Sequence, residues 1–451
     1  MVVGAHKRAQ GMHSAEVIDV IATPARVRED FFHIERTHRG RGAPIPGGET
    51  ERWILCEGPR IDSEVEFFNE LCWRLLGDGI PLWRANLHIG TLHPQTRGFG
   101  LRWWRERKVI EEYRVLHGAE MTDDYLHSPI RASIERGTRF RRRLDQDTSE
   151  YPLLTRIRQA GGTDYLALAL NPVSRRFPVA AWATDRPGGF GPADIAVLEA
   201  INPALAAIVE TRAVRHIRDN LLDTYLGPHA ARRVLGGQIR RGQGERMRVV
   251  IMASDLRGFT GLSDRLPPEE MIELLDEYFE TISSSVRAHG GEILKFAGDG
   301  VLAIFMADDG PKFGPAALCA LEGATEALER FETINRTRRE RGQIGVRTGI
   351  GLHFGDVTYG NVGATDRLDF TVIGPAVNLA FRIEGLTKRL PRPLLTSRAF
   401  AEICPRPLVS YGPQPIRGLH QPEEVFGLPT NSSTAFGGDR SGASAARLCR
   451  R

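Results

Sequence analysis

The sequence predicts two domains of mixed α and β structure, joined by a helical linker. Predicted strands and helices alternate through both halves of the 451 residues, which is typical of α/β and α+β domains. All six tryptophans lie at or before Trp182, so the two halves differ in composition. An Arg-rich stretch, Ile239–Arg246, separates them. We therefore expect a first domain over residues 51–212, a linker over 213–245 and a second domain over 246–430.

Composition excludes several classes of protein. Hydrophobic residues make up 41% of the chain and charged residues 26%, as in ordinary globular proteins and unlike disordered chains or coiled-coil rods. The net charge of +4 is a mild excess, so we do not expect nucleic-acid binding. The five cysteines show no metal-ligand spacing, which suits free thiols in a reducing compartment. The sequence contains no run of about 18 apolar residues, so we do not expect a membrane-spanning helix. We expect a cytoplasmic protein, an N-terminal arm over residues 1–50 and a disordered tail over 431–451.

The first domain is expected to contain a helix, four strands and a final helix. They are predicted at Glu64–Leu76, Trp83–Leu92, Gly98–Trp104, Tyr165–Asn171, Pro178–Thr184 and from Pro192 onward. Near the end, Ala183–Ala200 reads as a strand end, Gly-rich turns and a helix that begins with proline. This segment resembles the end of a GAF-type small-molecule sensor domain. The resemblance implies an α/β sensor with a small-molecule effector, and leaves open whether haem, a cyclic nucleotide, another metabolite or only a partner binds there.

The linker is predicted to be helical. A helix continues from Leu205 toward Leu222, and a second short helix covers His229–Leu235. Val214, Ile217 and Leu221 recur at helical spacing. They fit a short coiled-coil seam between two protomers, or equally a helix packed on its own domain.

In the second domain, the apolar strand Arg248–Ser254 leads directly into Asp255 and a Gly-containing turn. A carboxylate offers hard oxygen ligands to a divalent cation. The backbone N–H groups of a turn and helix start attract anions such as phosphate. A lone aspartate in such a place can also simply cap the turn.

A hairpin is predicted at Gly298-Asp299-Gly300, between two apolar runs. If its strands lie beside the one that ends at Asp255, the two carboxylates converge. Lys295 lies within the first hairpin strand and is one of only five lysines. Burying an ammonium group is costly unless it is paired or used, so we expect Lys295 to have a function.

Further along, Gly345–Gly360 is predicted to form a strand, a tight Gly turn and a second strand. A Gly-Pro start then opens a helix that carries Asn378 and Arg382, four residues apart on one face. An amide and a guanidinium group projecting together could hold a ribose oxygen and an anionic phosphorus centre, or could simply form a helix-surface hydrogen bond.

Taken together, the second domain resembles the catalytic domain of class III nucleotidyl cyclases over nearly all of residues 246–430. Three motifs occur in the family's order: Ser254-Asp-Leu-Arg-Gly-Phe-Thr260, Lys295-Phe-Ala-Gly-Asp-Gly300 and Phe370-Thr-Val-Ile-Gly-Pro-Ala-Val-Asn-Leu-Ala-Phe-Arg382. The resemblance implies a ferredoxin-like βααββαβ sheet. It also implies an adenylate cyclase that converts ATP to 3′,5′-cyclic AMP and pyrophosphate.

The resemblance further implies a site for metal and phosphate. Asp255, Asp299 and the Leu256 carbonyl would bind two Mg²⁺ or Mn²⁺ ions. Arg417 stands where the family often has a lysine for the terminal phosphates. The turn that would cradle the triphosphate consists of Arg257, Gly258, Phe259 and Thr260.

The resemblance places the base and ribose contacts on a second protomer. Lys295 and Thr371 would read adenine, Asn378 would orient the ribose, and Arg382 would stabilise the pentavalent phosphorus. In the family these residues face the metal-binding aspartates of the other chain. The resemblance therefore implies a head-to-tail homodimer with two sites at its interface.

Four other functions are alternatives to an adenylate cyclase. A guanylate cyclase would favour an acidic residue in place of Lys295. A diguanylate cyclase would carry a Gly-Gly-(Asp/Glu)-Glu-Phe signature, which is absent. A regulatory cyclase-like module without turnover would have lost an aspartate, Asn378 or Arg382. A nucleic-acid-binding regulator would use the Arg-rich runs.

Overall fold

The computed structural model describes residues 32–39, 49–136, 139–146, 150–170, 178–306, 313–390, 392–418 and 420–429. These residues form two compact units, which meet in the sequence between Ala231 and Arg232. Most of the expected N-terminal arm and the whole expected C-terminal tail lie outside the described residues.

The N-terminal unit is built on a seven-stranded antiparallel sheet with the order β1-β4-β3-β2-β7-β6-β5. Its strands are β1 (Phe32–Arg39), β2 (Arg84–Gly90), β3 (Thr96–Trp104), β4 (Val109–Leu116), β5 (Phe140–Arg143), β6 (Asp164–Ala169) and β7 (Val179–Thr184). Its helices are α1 (Thr50–Cys56), α2 (Glu64–Gly77), α3 (Asp123–Leu126), α4 (Pro129–Arg136), α5 (Pro152–Gln159), α6 (Pro192–Ala200), α7 (Asn202–Leu226) and α8 (Pro228–Leu235), the last of which crosses the boundary between the units.

Two larger hydrophobic clusters and a small third one hold this unit together. In the largest one, α2, α6 and α7 pack on the sheet around Phe68, Trp103 and Trp182, which are fully buried. The second one lies beneath α4 and α5. The six elements predicted from the sequence are present, but α1, β4, α3, α4, β5 and α5 were not predicted. These elements are short and polar, and each buries only a few side chains, so their sequences show little apolar periodicity. In addition, β1 is a strand of the sheet where the N-terminal arm was expected.

Helices α6 and α7 follow one another with a single-residue break at Ile201. The first half of α7 packs on its own unit through Leu205, Ile208 and Val209, whereas Val214 in the second half is 56% exposed. By length and composition alone, Pro192–Leu226 is the one stretch of the described residues that could cross a membrane, and 44% of its most apolar window is buried in the protein. A core helix meets the same criterion.

The C-terminal unit is built on a mixed sheet with the order β14-β15-β13-β11-β8-β10-β9, and β12 also pairs with β11. Its strands are β8 (Gly244–Leu256), β9 (Glu292–Ala297), β10 (Gly300–Phe305), β11 (Thr348–Gly363), β12 (Leu368–Ile373), β13 (Leu394–Ser397), β14 (Val409–Gln414) and β15 (Glu423–Gly427). Its helices are α9 (Phe259–Ser263), α10 (Pro268–Ala288), α11 (Gly314–Glu340), α12 (Pro375–Leu386) and α13 (Arg398–Ile403).

The centre of this sheet follows the ferredoxin-like pattern. The order β11-β8-β10-β9, with α10 between β8 and β9 and α11 between β10 and β11, is that of a split βαβ fold. Helices α10 and α11 bury Leu274, Tyr278 and Phe331 against the sheet. This arrangement brings the end of β8 beside the turn between β9 and β10.

The prediction of two strands joined by a Gly turn over Gly345–Gly360 is wrong, because β11 is one continuous strand. Its glycines allow close packing instead of a turn. A Cβ atom added at Gly351 would lie 2.5 Å from the Ala380 carbonyl oxygen of α12, and one at Gly355 would lie 2.8 Å from the Ala376 Cβ. Helix α12 can therefore rest directly on the backbone of β11.

Two other expectations differ from the structure. The Arg-rich stretch that was expected to be a linker already enters the sheet at Gly244. Cys56, Cys72 and Cys404 have free thiols as expected, but Cys319 is disulfide-bonded.

Candidate active site

The structure brings Asp255 and Asp299 together. Asp255 is the penultimate residue of β8 and lies opposite Gly300 of β10. Asp299 occupies the two-residue turn between β9 and β10, beside Gly298, whose φ of +64° suits glycine. The Leu256 N–H donates to the Asp299 carbonyl oxygen at 3.2 Å, which ties this turn to the end of β8. Burial raises the pKa of Asp299, and the neighbouring Asp255 charge raises it further.

These two carboxylates fit a divalent cation. Like charges at close range need a counter-charge, and carboxylate oxygens are the ligands that Mg²⁺ prefers. No cluster of three or more His, Cys, Asp or Glu side chains at metal-binding distance occurs in the described part of the chain. The pair therefore resembles sites that hold Mg²⁺ by one or two carboxylates together with substrate phosphates.

Lys388 already supplies positive charge to this pair. Its Nζ lies 3.1 Å from Asp255 Oδ2, and its side chain is 56% exposed. Sequence reasoning assigned it no role, although it is one of only five lysines. Lys388 follows the end of α12 and lies 133 positions from Asp255 in the sequence. A short stretch of sequence therefore could not predict this contact.

Arg257 is held away from solvent by an ion pair. Its Nη2 lies 2.9 Å from Glu384 Oε1, and the two side chains are 14% and 5% exposed. Its backbone N–H donates to the Arg347 carbonyl at 2.7 Å. Burial raises the pKa of Glu384, and the Arg257 charge opposes that rise. Any contact of the Arg257–Thr260 turn with phosphates therefore falls to the residues after Arg257.

Those residues form the start of α9. Gly258 precedes this helix with φ of +77°, and the Leu262 N–H donates to the Gly258 carbonyl. The first N–H groups of a helix have no acceptor within it, so they face outward. Gly258 and Thr260 are exposed, and Phe259 is half-buried.

Lys295 lies on β9 and Thr371 on β12, two strands that contact each other without pairing in the sheet. The expectation that Lys295 is buried is wrong: it is exposed, because β9 turns its last three residues to solvent as it approaches the hairpin. Thr371 is buried, and its Oγ1 has no hydrogen-bond partner in the part of the chain that the structure describes. It is thus a polar atom available to a ligand.

Asn378 and Arg382 are exposed on α12, whose opposite face buries Ala380 and Ile383. A Cβ atom added at Gly418 would lie 3.3 Å from Arg382 Nη2, so this guanidinium group lies beside the turn that contains Arg417. Arg417 is also exposed.

The predicted site residues thus fall into two sets within one chain. The acidic set contains Asp255 and Asp299. The second set is largely exposed, and within the described ranges no hydrogen bond or ion pair links it to either aspartate. It consists of Lys295, Thr371, Asn378, Arg382 and Arg417.

Residues 243–390 match the family described as the adenylate and guanylate cyclase catalytic domain. The chain is 38% identical over 170 residues to adenylate cyclase 1 of Rhizobium meliloti, and 38% identical over 155 residues to an adenylate cyclase of Anabaena cylindrica. These matches cover 37% and 34% of this chain, and only 25% and 30% of the relatives. The crystal structure of the adenylyl cyclase CyaB from P. aeruginosa is 26% identical, with a TM-score of 0.38, over 42% of this chain and 97% of that one. Residues 243–390 are therefore similar to adenylate and guanylate cyclase catalytic domains, and the chain spans less than a third of the length of the two named adenylate cyclases.

Proposed function

We propose that the protein is an adenylate cyclase, which converts ATP to 3′,5′-cyclic AMP and pyrophosphate. The observation that carries this proposal is the convergence of Asp255 and Asp299 at one edge of a cyclase-type sheet. The two named relatives are adenylate cyclases, which favours ATP as the substrate. Lys295, a hydrogen-bond donor at the position expected to read the base, is consistent with that choice.

In the proposed reaction the ribose 3′-oxygen bonds to the α-phosphorus, the bond from that phosphorus to the pyrophosphate oxygen breaks, and the hydroxyl proton leaves to solvent. Asp255 and Asp299 would hold two Mg²⁺ or Mn²⁺ ions, which when bound lower the pKa of the attacking hydroxyl and neutralise phosphate charge. Asn378 orients the ribose. Arg382 donates to the oxygens on which charge develops at the α-phosphorus, a role whose loss typically costs about 10²–10³ in rate.

We further propose that the active unit is a homodimer with two sites at its interface. The second set of residues is displayed on the surface, and exposed apolar side chains flank it. Phe296, next to Lys295, is 52% exposed, and Ile373, two residues after Thr371, is 46% exposed. Apolar groups grouped around polar ones are typical of a surface that a partner covers.

The N-terminal unit is proposed to be a GAF-like sensor domain that regulates the dimer through α7 and α8, in a cytoplasmic protein. A site at an interface responds to small rotations of the protomers, so a sensor attached through helices could change the activity. The exposed second half of α7 is available for contact with a partner helix.

The decisive test measures cyclic nucleotide formation by the full chain with Mg²⁺ or Mn²⁺ and either ATP or GTP. We expect cAMP from ATP. Asp299→Ala should lower the rate at least about 100-fold, because one of two cation-binding carboxylates is lost. Asp276→Ala, an exposed aspartate on α10, is the matched control and should retain wild-type activity.

Two outcomes would select the alternatives. Faster turnover of GTP than of ATP would identify a guanylate cyclase. If neither nucleotide is turned over although both bind, the domain is a regulatory module.

A further inference from the structure

The N-terminal unit encloses a cavity of about 280 Å³. Strands β2, β3, β4, β6 and β7 form its floor, and α3, α4 and α5 form its other walls. All of its lining residues lie within one compact unit of a single chain. A single chain therefore supplies every residue that lines the cavity, and no second protomer is needed to form it.

One arginine that lines the cavity, Arg84, has no counter-ion among the described residues. Arg84 is half-buried, and its guanidinium group stacks on Trp104 with its Cζ 4.5 Å from the ring centroid. Within the described residues it has no hydrogen bond and no carboxylate within ion-pair distance. Burial and the nearby charge of Arg102 lower the pKa of Arg84 to about 10, so it remains a cation at neutral pH.

The other arginines that line the cavity are already paired. Arg102 lies 3.0 Å from Glu111, Arg97 lies 3.2 Å from Glu120 and Arg156 lies 3.5 Å from Asp124. Their charges are balanced by the protein itself. The cavity therefore presents one uncompensated positive charge, at Arg84.

Uncharged donors accompany this charge. Tyr165 is 4% exposed, lines the cavity and makes no hydrogen bond through its hydroxyl group within the described residues. The Nδ1 atom of His88 is buried and also has no partner there. Burial lowers the pKa of His88 to about 4, so its ring is neutral at pH 7 and can donate one hydrogen bond. Buried polar groups without partners are rare unless a ligand or water completes them.

The rest of the lining combines neutral polar side chains, such as Asn86 and Ser128, with apolar ones. Val115, Ile130, Leu153 and Ile157 contribute aliphatic side chains. A ligand that fits must therefore combine one negative charge with an apolar body. A cavity of about 150 Å³ accommodates benzene, so this cavity has room for a single ring with a carboxylate and a few further atoms.

We propose that this cavity is a binding site for a small organic carboxylate with an apolar body, anchored by Arg84. The single unpaired guanidinium group matches a monoanion better than a dianionic phosphate ester. Tyr165 and His88 would complete the hydrogen bonds of the carboxylate. Apart from its effect on turnover, which rests on the proposed cyclase function, the binding site stands on these contacts alone.

The test uses the full chain with benzoate as the probe and benzamide as its neutral, isosteric counterpart. Binding is measured by thermal shift and by tryptophan fluorescence, because all six tryptophans lie in this half and Trp104 contacts Arg84. We expect saturable binding of benzoate in the millimolar range or tighter, with at least tenfold weaker binding of benzamide and of phenyl phosphate.

Arg84→Gln should weaken benzoate binding at least tenfold, while Arg60→Gln, at an exposed arginine of the same unit, should leave it unchanged. Tyr165→Phe removes one hydroxyl group without changing the shape of the core, and should weaken benzoate a few-fold. The proposal is overturned if benzoate does not bind at 10 mM, if benzamide binds as well as benzoate, or if folded Arg84→Gln binds as well as the wild type. None of these readouts depends on cyclase activity, so failure here and failure of the proposed function can be told apart.

Discussion

The two halves of the chain each withdraw an arginine from solvent, but among the described residues only one of the two is paired with a carboxylate. In the C-terminal unit, Arg257 is closed off against Glu384 at 2.9 Å. In the N-terminal unit, Arg84 is half-buried beside Trp104 without a carboxylate partner among the described residues. Removing one partner of a buried ion pair destabilises the fold, whereas an unpaired buried charge costs stability until a ligand compensates it. Arg257 is therefore structural, and Arg84 belongs to a binding site.

The same comparison extends to the polar residues around each arginine. The cavity in the N-terminal unit collects its donors inside one chain. The candidate active site instead displays Lys295, Asn378 and Arg382 on the surface. The proposed ligand site in the N-terminal unit thus lies within a single chain, whereas the proposed active site in the C-terminal unit needs a second protomer.

The largest effect is expected when two inactive variants are mixed, which tests whether the active site is shared between protomers. Asp299→Ala and Arg382→Ala should each lower cyclase activity at least about 100-fold. If the site is shared, mixed dimers regain one intact site out of two. Since half of the dimers in an equal mixture are mixed, activity should return to about a quarter of wild type.

The control mixes Asp299→Ala with Asp255→Ala. Both variants damage the same half of the site, so no dimer regains an intact one. No recovery in the test mixture after subunits have exchanged would show that each site is built from a single chain. Recovery in the control would show that Asp255 and Asp299 do not belong to the same half of the site.

The next largest effect concerns the two arginines themselves. Arg257→Ala leaves Glu384 buried without its partner and should lower the free energy of unfolding by about 3–5 kcal/mol. Arg84→Met removes an unpaired, half-buried charge and should raise it by about 1 kcal/mol or more. Urea unfolding followed by circular dichroism reports the first change, and tryptophan fluorescence reports the second.

Arg398→Ala is the matched control, because Arg398 pairs with Glu424 while being 59% exposed. Its loss should cost about 0–1 kcal/mol. If Arg84→Met is destabilising, Arg84 is a structural residue and the contrast between the halves disappears.

A buried histidine in the C-terminal unit gives a pH effect of intermediate size. Burial lowers the pKa of His353 to about 4, and its Nδ1 lies 2.8 Å from Ser397 Oγ. Between this value and the usual pKa of about 6.5, the unfolded chain binds more protons than the folded one, so acidification favours unfolding. From pH 7 to pH 5 this residue should lower the free energy of unfolding by about 1–2 kcal/mol.

The pH dependence of urea unfolding checks this expectation. His353→Gln should be less stable at pH 7 because the buried contact is altered, but its stability should fall less between pH 7 and pH 5. His420→Gln, at an exposed histidine of the same unit, should keep the wild-type slope. Equal slopes for the wild type and His353→Gln would contradict the assignment.

The smallest effect tests Lys388. Lys388→Met removes the ammonium group beside Asp255 and leaves the two aspartates to repel each other. Without metal, the free energy of unfolding should fall by about 0.5–1 kcal/mol, and the increase in melting temperature on adding Mn²⁺ should become larger. Lys108→Met, at an exposed lysine of the other unit, is the control. An unchanged Mn²⁺ response would mean that Lys388 does not compete with the cation.

Much of the candidate site could be predicted because its signals are local. A strand that ends in Asp255 and a hairpin that contains Asp299 are visible in short stretches, and the four-residue spacing of Asn378 and Arg382 defines one helix face. The glycines of β11 were wrongly predicted to form a turn. They are needed because α12 packs directly on the backbone of β11, and α12 lies more than 20 residues away in the sequence. The contact of Lys388 with Asp255 joins residues 133 positions apart and left no pattern to read.

By itself, the sequence determined which chemical groups end each strand and share each helix face, because these follow from backbone periodicity over a few residues. Only the tertiary structure decided which charges are paired. Arg257 meets a glutamate 127 positions away, Arg84 meets none among the described residues, and Lys295 faces solvent instead of a core. Pairing and burial depend on which strands and helices become neighbours, and the order of a sheet is not written in the local pattern of any one strand.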